Sequence, residues 1–329
     1  MKTNVLVTSA SRKVSLIKSF KKAIELEGGG KIIAVDINPL SAALYHADLA
    51  FLVPKSSDDN FIPKILELCK KEGINLVVPT RDEELRIFAG NKDKFEDIGT
   101  KVMVSDPKVI DVCNDKLEFI RFCKKNDLLV PKTFHINQIN ENNLNFPLFV
   151  RNRFGKGSKN AFKIRNKKEL EFFTSQLDEP ILQEYCKDRE YTIDLFSDFD
   201  GNVISVVPRE RIYVLGGESF ISKTYKNRKL MKDNIQLAEE LNLIGHNTIQ
   251  CFFDGDKKTK FIEVNPRYGG GANLGFEAGA NTPLFLIQLI KGKKIKNKIG
   301  KFQDSFIMLR YTEDVFLDEK TAKSVKKID

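Results

Sequence analysis

Apolar positions in the first hundred residues change period repeatedly, and each change marks a boundary. Asn4 to Thr8 is a short apolar run of strand type, and from Val14 to Leu26 the apolar residues Val14, Ile17, Phe20, Ala23 and Ile24 recur at helical spacing. Gly28, Gly29 and Gly30 end that helix. Strands follow at Lys31 to Asp36, Phe51 to Val53, Ile74 to Val78 and Lys101 to Val104, with helices at Phe61 to Lys71 and Glu83 to Phe95. Strands alternating with helices require crossovers and a parallel sheet covered on both faces. Residues 1–112 are therefore expected to form an open parallel α/β domain.

A helix is expected from Asp115 to Lys125, after which strand patterns dominate: Phe146 to Arg151, Ala161 to Ile164, Ile181 to Tyr185, Tyr191 to Ser197 and Val203 to Pro208. Asp198-Phe199-Asp200-Gly201 is hairpin chemistry between two of them. Helices at Leu230 to Leu241 and Thr282 to Ile290 and strands at Thr248 to Phe253 and Lys260 to Val264 complete an α+β region with antiparallel sheet. Two units are expected here, 113–186 and 187–329. No internal repeat is present, and the Lys-rich stretch Lys291 to Lys301 reads as a solvated turn.

Composition narrows the class. At 329 residues and 41% hydrophobic, the chain can bury real cores. The formal charge of +9 is spread along the chain and carried mostly by Lys (41, against 13 Arg), which argues against a nucleic-acid partner. No apolar run reaches membrane-span length, and the N-terminal apolar run is too short for a signal-peptide core. Five scattered cysteines without a CxxC fit a reduced cytoplasm, and three histidines do not favour chemistry built on a histidine base.

Three segments could carry chemistry. In FPLFVRNRFGKGSKNA, Arg151 ends a strand and Gly155-Lys156-Gly157-Ser158-Lys159 follows; such glycines let backbone N–H groups turn toward a phosphate, although taken alone the motif fits a flexible Lys-bearing hairpin better. In ILQEYCKDREYTID, two strands flank a polar link whose backbone could pair with adenine, with Glu190 placed to accept from ribose hydroxyls; a plain strand–turn–strand fits as well. The third, TIQCFFDGDKKTKFIEVNPRYGGG, is the most specific. Period-two alternation puts Glu263, Asn265 and Arg267 on one face, beside Gln250 of the neighbouring strand. Oxygen ligands on adjacent strands suit Mg²⁺, which completes its shell with substrate phosphates and water.

With these strings the chain resembles the ATP-grasp superfamily, in its carbamoyl-phosphate-synthetase-like branch. NVLVTSASRK is similar to the opening of the pre-ATP-grasp domain, CNDKLEFIRF to the helix with the nucleotide-facing basic residue, and PLFVRNRFGKGSKN to the phosphate loop. LQEYCKDREYTIDL is similar to the adenine hinge and FIEVNPR to the metal signature. The implied fold is a pre-ATP-grasp α/β domain followed by a two-part ATP-grasp domain with antiparallel sheets. The resemblance implies that Lys116 and Arg151 contact ATP phosphates, that Gly155, Gly157 and Ser158 close over them, and that Gln183 with the backbone of Glu184 and Cys186 holds adenine, Glu190 holding the ribose. Gln250, Glu263 and Asn265 would hold Mg²⁺, two ions with Mn²⁺ able to substitute, and Arg267 would stabilise the transferred phosphoryl group. Arg151 and Gln250 stand where many relatives have Lys and an acid.

The implied activity joins a carboxylate, an amino acid among the candidates, to an amine through an acyl phosphate. A kinase of a small acid and a non-catalytic ATP-binding module are the alternatives. An Arg of Ser9-Ala10-Ser11-Arg12 at a strand end could meet the acid, or Ser11 could simply cap a helix. Glu83 could face the site or favour a helix N-terminus. Arg209 and Arg211, expected between strands, could bind a substrate carboxylate or be a solvated pair, and Tyr268 with Gly269 to Gly271 could let substrate approach closely. The oligomeric state is left open, a homodimer included.

Overall fold

The computed structural model describes residues 2–134, 144–155, 160–255 and 258–328. Three sheets organise it. The first contains β1 (Val5–Val7), β2 (Ile32–Asp36), β3 (Leu49–Leu52), β4 (Leu76–Val78) and β5 (Lys101–Val102), all parallel, in the order β3-β2-β1-β4-β5. Parallel strands need crossovers, supplied by α1 (Val14–Leu26), α2 (Phe61–Glu72), α3 (Asp82–Ala89) and α4 (Lys92–Glu96). The helix expected over Glu83 to Phe95 is thus two helices, parted at Gly90 and Asn91.

Helices α5 (Pro107–Asn114) and α6 (Lys116–Lys125) lead out of this sheet. Asp115 stops α5 and caps α6, its side chain accepting from the Leu117 and Glu118 amides. A small antiparallel sheet follows, with β6 (Thr133–Phe134), β7 (Leu148–Asn152), β8 (Ala161–Ile164) and β9 (Pro180–Glu184) in the order β6-β9-β7-β8, and α7 (Lys167–Thr174) covers it. Leu148, Val150, Ile164, Leu170, Leu177 and Leu182 form its core.

The third sheet holds β10 (Arg189–Ser197), β11 (Val203–Leu215), β12 (Glu218–Thr224), β13 (Gly245–Phe253), β14 (Thr259–Asn265) and β15 (Ile307–Leu309), in the order β14-β13-β10-β11-β12-β15. Helices α8 (Arg228–Leu241), α9 (Asn273–Glu277) and α10 (Thr282–Ile290) pack on it and on the first sheet. Strand β11 runs through Pro208, where the sequence pattern ends it, and so carries Arg209 and Arg211 within a strand rather than between strands. The Pro208 carbonyl accepts from the Tyr225 amide, so the missing N–H points to the side where β12 has just ended, and pairing with Ile193 of β10 is undisturbed.

The first and third sheets share one core: Val5, Val7, Phe20 and Leu76 pack with Phe196, Tyr268, Phe276 and Phe285. After a short α11 (Glu319–Lys323), β16 (Lys326–Lys327) pairs parallel with β3, so the C-terminal segment adds a sixth strand to the N-terminal sheet. The five cysteines are unpaired, and among the described residues no helix is long and apolar enough to cross a membrane.

Candidate active site

Strands β13 and β14 set Gln250 directly opposite Glu263. Asn265, two residues on, donates to Glu263 Oε1 at 3.2 Å, and Arg267 Nη2 donates to Asn265 Oδ1 at 3.3 Å. The alternation therefore does bring these four residues together, although Arg267 lies just past the end of β14. The Gln250 amide is best satisfied with its nitrogen donating to Glu263 Oε1 at 2.6 Å and its oxygen accepting from Arg211 Nη1; turned the other way, its nitrogen reaches Glu190 Oε1 at 3.3 Å.

The small sheet touches this strand pair directly. Arg151, buried on β7, donates from Nη2 to the Ile262 carbonyl at 3.2 Å, and its Nη1 lies 3.7 Å from Glu263 Oε2. At the start of α6, Lys116 donates to the carbonyls of Arg153 (3.1 Å) and Gly155 (2.8 Å), holding the entrance to the glycine-rich segment. Burial, then the charge of Arg151, lowers its pKa to about 8. Gly155 has φ +112°, which favours glycine there, while Gly157 and Ser158 lie outside the described residues.

In the expected hinge, Gln183 is buried on β9 and donates to Thr133 Oγ1 at 3.0 Å. The Glu184 amide donates to the Lys132 carbonyl at 2.8 Å, and its carboxylate is held by Lys260 at 2.7 Å, which ties the small sheet to β14. Cys186 is half-buried beside Glu184, its Sγ 3.9 Å from Oε1. Glu190 accepts from Arg211 Nη1 at 2.9 Å. Burial raises the Glu190 pKa against the pull of Arg211, and the nearby charge of Glu263 adds to the rise. The residue expected at the ribose thus stands next to Gln250, one of the candidate metal residues.

Each candidate oxygen donor faces a guanidinium: Glu263 faces Arg151, Gln250 faces Arg211 and Asn265 faces Arg267. Hard oxygen donors suit Mg²⁺, but these guanidinium groups compete for the same lone pairs, so an ion would enter only as phosphate drew the guanidinium groups away. No cluster of three or more His, Cys, Asp or Glu of metal-binding type exists among the described residues, so an ion here must draw further ligands from phosphate and water.

The expected substrate residues separate. Arg12 is exposed on the rim and pairs with Glu218 at 3.4 Å. Arg211 lies beside Gln250, donating to Glu190 and, at 3.0 Å, to the Gly217 carbonyl. Arg209 is only 3% exposed and is gripped by Asp194 at 2.7 and 3.3 Å, so Asp194 takes the place that a substrate carboxylate was expected to fill. It lies under the Gly269–Gly271 turn, where a Cβ on Gly271 would come within 2.7 Å of its Nη1. Tyr268 is buried and stacks on His246 with ring centroids 4.2 Å apart.

Two residues at this site escape the sequence reading. Asp82, the first residue of α3, pairs with Arg267, to Nε at 2.8 Å and to Nη2 at 2.6 Å, so the N-terminal sheet reaches the end of β14. Lys13, next to Arg12, turns inward and donates to the Ser9 carbonyl at 3.3 Å. Asp82 stands beside Glu83 in Thr80-Arg81-Asp82-Glu83, a run of charges in which the sequence does not mark the inward-facing acid; Glu83 pairs with Arg81 at 3.2 Å.

Comparison with known proteins agrees with this architecture. A family model described as the PylC-like N-terminal domain matches residues 5–103, and one described as ATP-grasp in the biosynthetic pathway with Ter operon matches residues 176–313. The carbamoyl phosphate synthase large chain of Pyrococcus furiosus is 27% identical over 280 residues, 77% of this chain; the chain spans only 26% of that relative's length. The biotin carboxylase domain of Hydrogenobacter thermophilus 2-oxoglutarate carboxylase, crystallised with MgADP and bicarbonate, superposes with a TM-score of 0.72 at 17% identity, covering 93% of this chain and 73% of that one. An L-amino acid ligase from Bacillus licheniformis gives a TM-score of 0.69 at 16% identity, covering 92% and 77%. Residues 176–313 thus match an ATP-grasp family model, and the chain as a whole is similar to the carbamoyl phosphate synthase large chain.

Proposed function

We propose that this protein is an ATP- and Mg²⁺-dependent ligase that activates a carboxylate, an amino acid among the candidates, as an acyl phosphate and joins it to an amine. The observation that carries the reading is the convergence of Gln250, Glu263 and Asn265 on two neighbouring strands and Arg267 just beyond them, with Arg151 of the small sheet reaching Glu263. A carboxylate is a poor acyl donor, and transfer of the γ-phosphoryl group of ATP to its oxygen gives a phosphate leaving group that an amine can displace. Such chemistry needs charge neutralised and reactants aligned rather than a protein nucleophile. Arg151, Lys116 and Arg211 supply cations, and Glu263, Gln250 and Asn265 are the residues that would hold the metal. Bound there, Mg²⁺ would neutralise the phosphate oxygens of ATP. Adenine is assigned to Gln183 and the backbone of Glu184 and Cys186, and the loop with Gly155, Gly157 and Ser158 to the phosphates. Glu190 would hold the ribose or, from its place beside Gln250, support the metal set.

The relatives' printed activities, carboxylation and amino acid ligation among them, support an acid as the phosphoryl acceptor. The test is an ADP-release screen over bicarbonate, small carboxylates and amino acids, with and without amines, followed by mass spectrometry of the product. ADP, phosphate and an amide are expected in equal amounts, and Glu263→Ala should lower ADP release by about a hundredfold or more. ADP without an amide would point to the acid kinase instead, and normal turnover by Glu263→Ala would remove Glu263 from the reaction.

A further inference from the structure

The cations beside the end of β14 are unequally engaged. Arg267 is committed to Asp82 through Nε and Nη2, to Asn265 through Nη2 and to the Tyr268 carbonyl at 3.2 Å through Nη1. Lys13 differs: among the described residues its one hydrogen bond is the 3.3 Å contact to the Ser9 carbonyl, and no carboxylate lies within ion-pair distance. Burial, then the charge of Arg267, lowers its pKa to about 8. The surrounding carboxylates are otherwise occupied. Glu84 accepts from the Thr8 and Ser9 hydroxyls and the Thr80 and Arg81 amides, Asp36 from the Ser11 and Asn38 amides, Glu83 from Arg81 and Asp82 from Arg267.

A partly desolvated ammonium with one long hydrogen bond, set beside a second cation, is unfavourable until an anion joins it. The loop that presents it is held rather than loose. Ser9 and Ser11 sit at φ +48° and +47°, conformations costly for serine, with Glu84 gripping the first and Asp36 the second. That fixing turns Arg12 outward and Lys13 inward.

We propose that Lys13 anchors the carboxylate of the acid substrate, so that a lysine of the N-terminal sheet selects the acid while the strand pair β13–β14 serves the nucleotide. This rests on the ligase reading above. The ligand class is a small carboxylate, presented to Lys13 at the Ser9–Lys13 loop on the side where the charge of Arg267 is felt.

The test uses the full chain. Amine labelling by formaldehyde and dimethylamine–borane is read by peptide mass spectrometry as the ratio of Lys13 to the exposed Lys31, with bicarbonate, succinate and the common L-amino acids added in turn. At least one acid should protect Lys13 selectively. With that acid, Lys13→Met should raise its KM by about tenfold or more, as expected for one lost charge-assisted hydrogen bond, leaving the KM for ATP unchanged, and Lys13→Arg should recover part of the loss. MgADP binding is measured in parallel by calorimetry. If MgADP binds but no acid protects Lys13, or if the KM for the acid is unchanged in Lys13→Met, this inference fails and the nucleotide reading stands. If MgADP does not bind, the ligase reading fails and this inference falls with it.

Discussion

At the scale of single residues, desolvation decides what the charged groups can do. Lys116 titrates near 8 instead of 10.5 because burial and Arg151 both oppose its charge. Between those values the unfolded chain binds more protons than the folded one, so the stability contributed through this group rises with pH across that window. Lys116→Met should abolish that rise, as measured by urea unfolding at a series of pH values. Nucleotide affinity should show the opposite slope, because phosphates favour the protonated ammonium: MgADP binding should weaken as pH climbs through about 8, and Lys116→Met should bind more weakly with a flatter profile. The Glu263, Asn265 and Arg267 face was legible because strand alternation is strictly local. The inward turn of Lys13 was not, since it depends on left-handed serines fixed by Glu84 and Asp36, which are distant in sequence.

At the scale of elements, the pattern located α1, α10 and β8 and blurred others where one residue opposed the trend. Gly90 parts α3 from α4 inside an otherwise helical stretch, and Pro208 hides the continuation of β11 because a sequence does not show which side of a strand is unpaired. The turn after β14 has a cost of its own. Arg209 cannot swing away from Gly271 without breaking its bonds to Asp194, so a methyl group there has no compliant neighbour. Gly271→Ala should lower stability by about 1–3 kcal/mol, the range for an overpacked site, as read by denaturant unfolding. The same variant should reduce ADP release more than Gly292→Ala, whose Cβ meets nothing but whose φ of +72° carries its own backbone strain.

For the whole molecule, the contact that joins the N-terminal sheet to the site is Asp82 with Arg267, 185 positions apart in the chain. A pairing of that span leaves no periodic trace, which is why the three sheets were legible and their joint was not. Removing the acid strands a guanidinium with only 19% of its side chain exposed, so Asp82→Ala should cost about 3 kcal/mol or more in urea unfolding, with Asp82→Asn less severe. The same joint is reinforced by the common core around Tyr268 and by Glu27, which binds Gln288 of α10 and Lys293 just past its end. The last strand completes the arrangement. With Lys326 and Lys327 laid along β3, the segment that follows the third sheet is laced back into the first, and two of the three sheets make a single anvil. The four-stranded sheet stands apart from that anvil, with an apolar core of its own, and Arg151 and Lys260 are clasps that fasten it to β14.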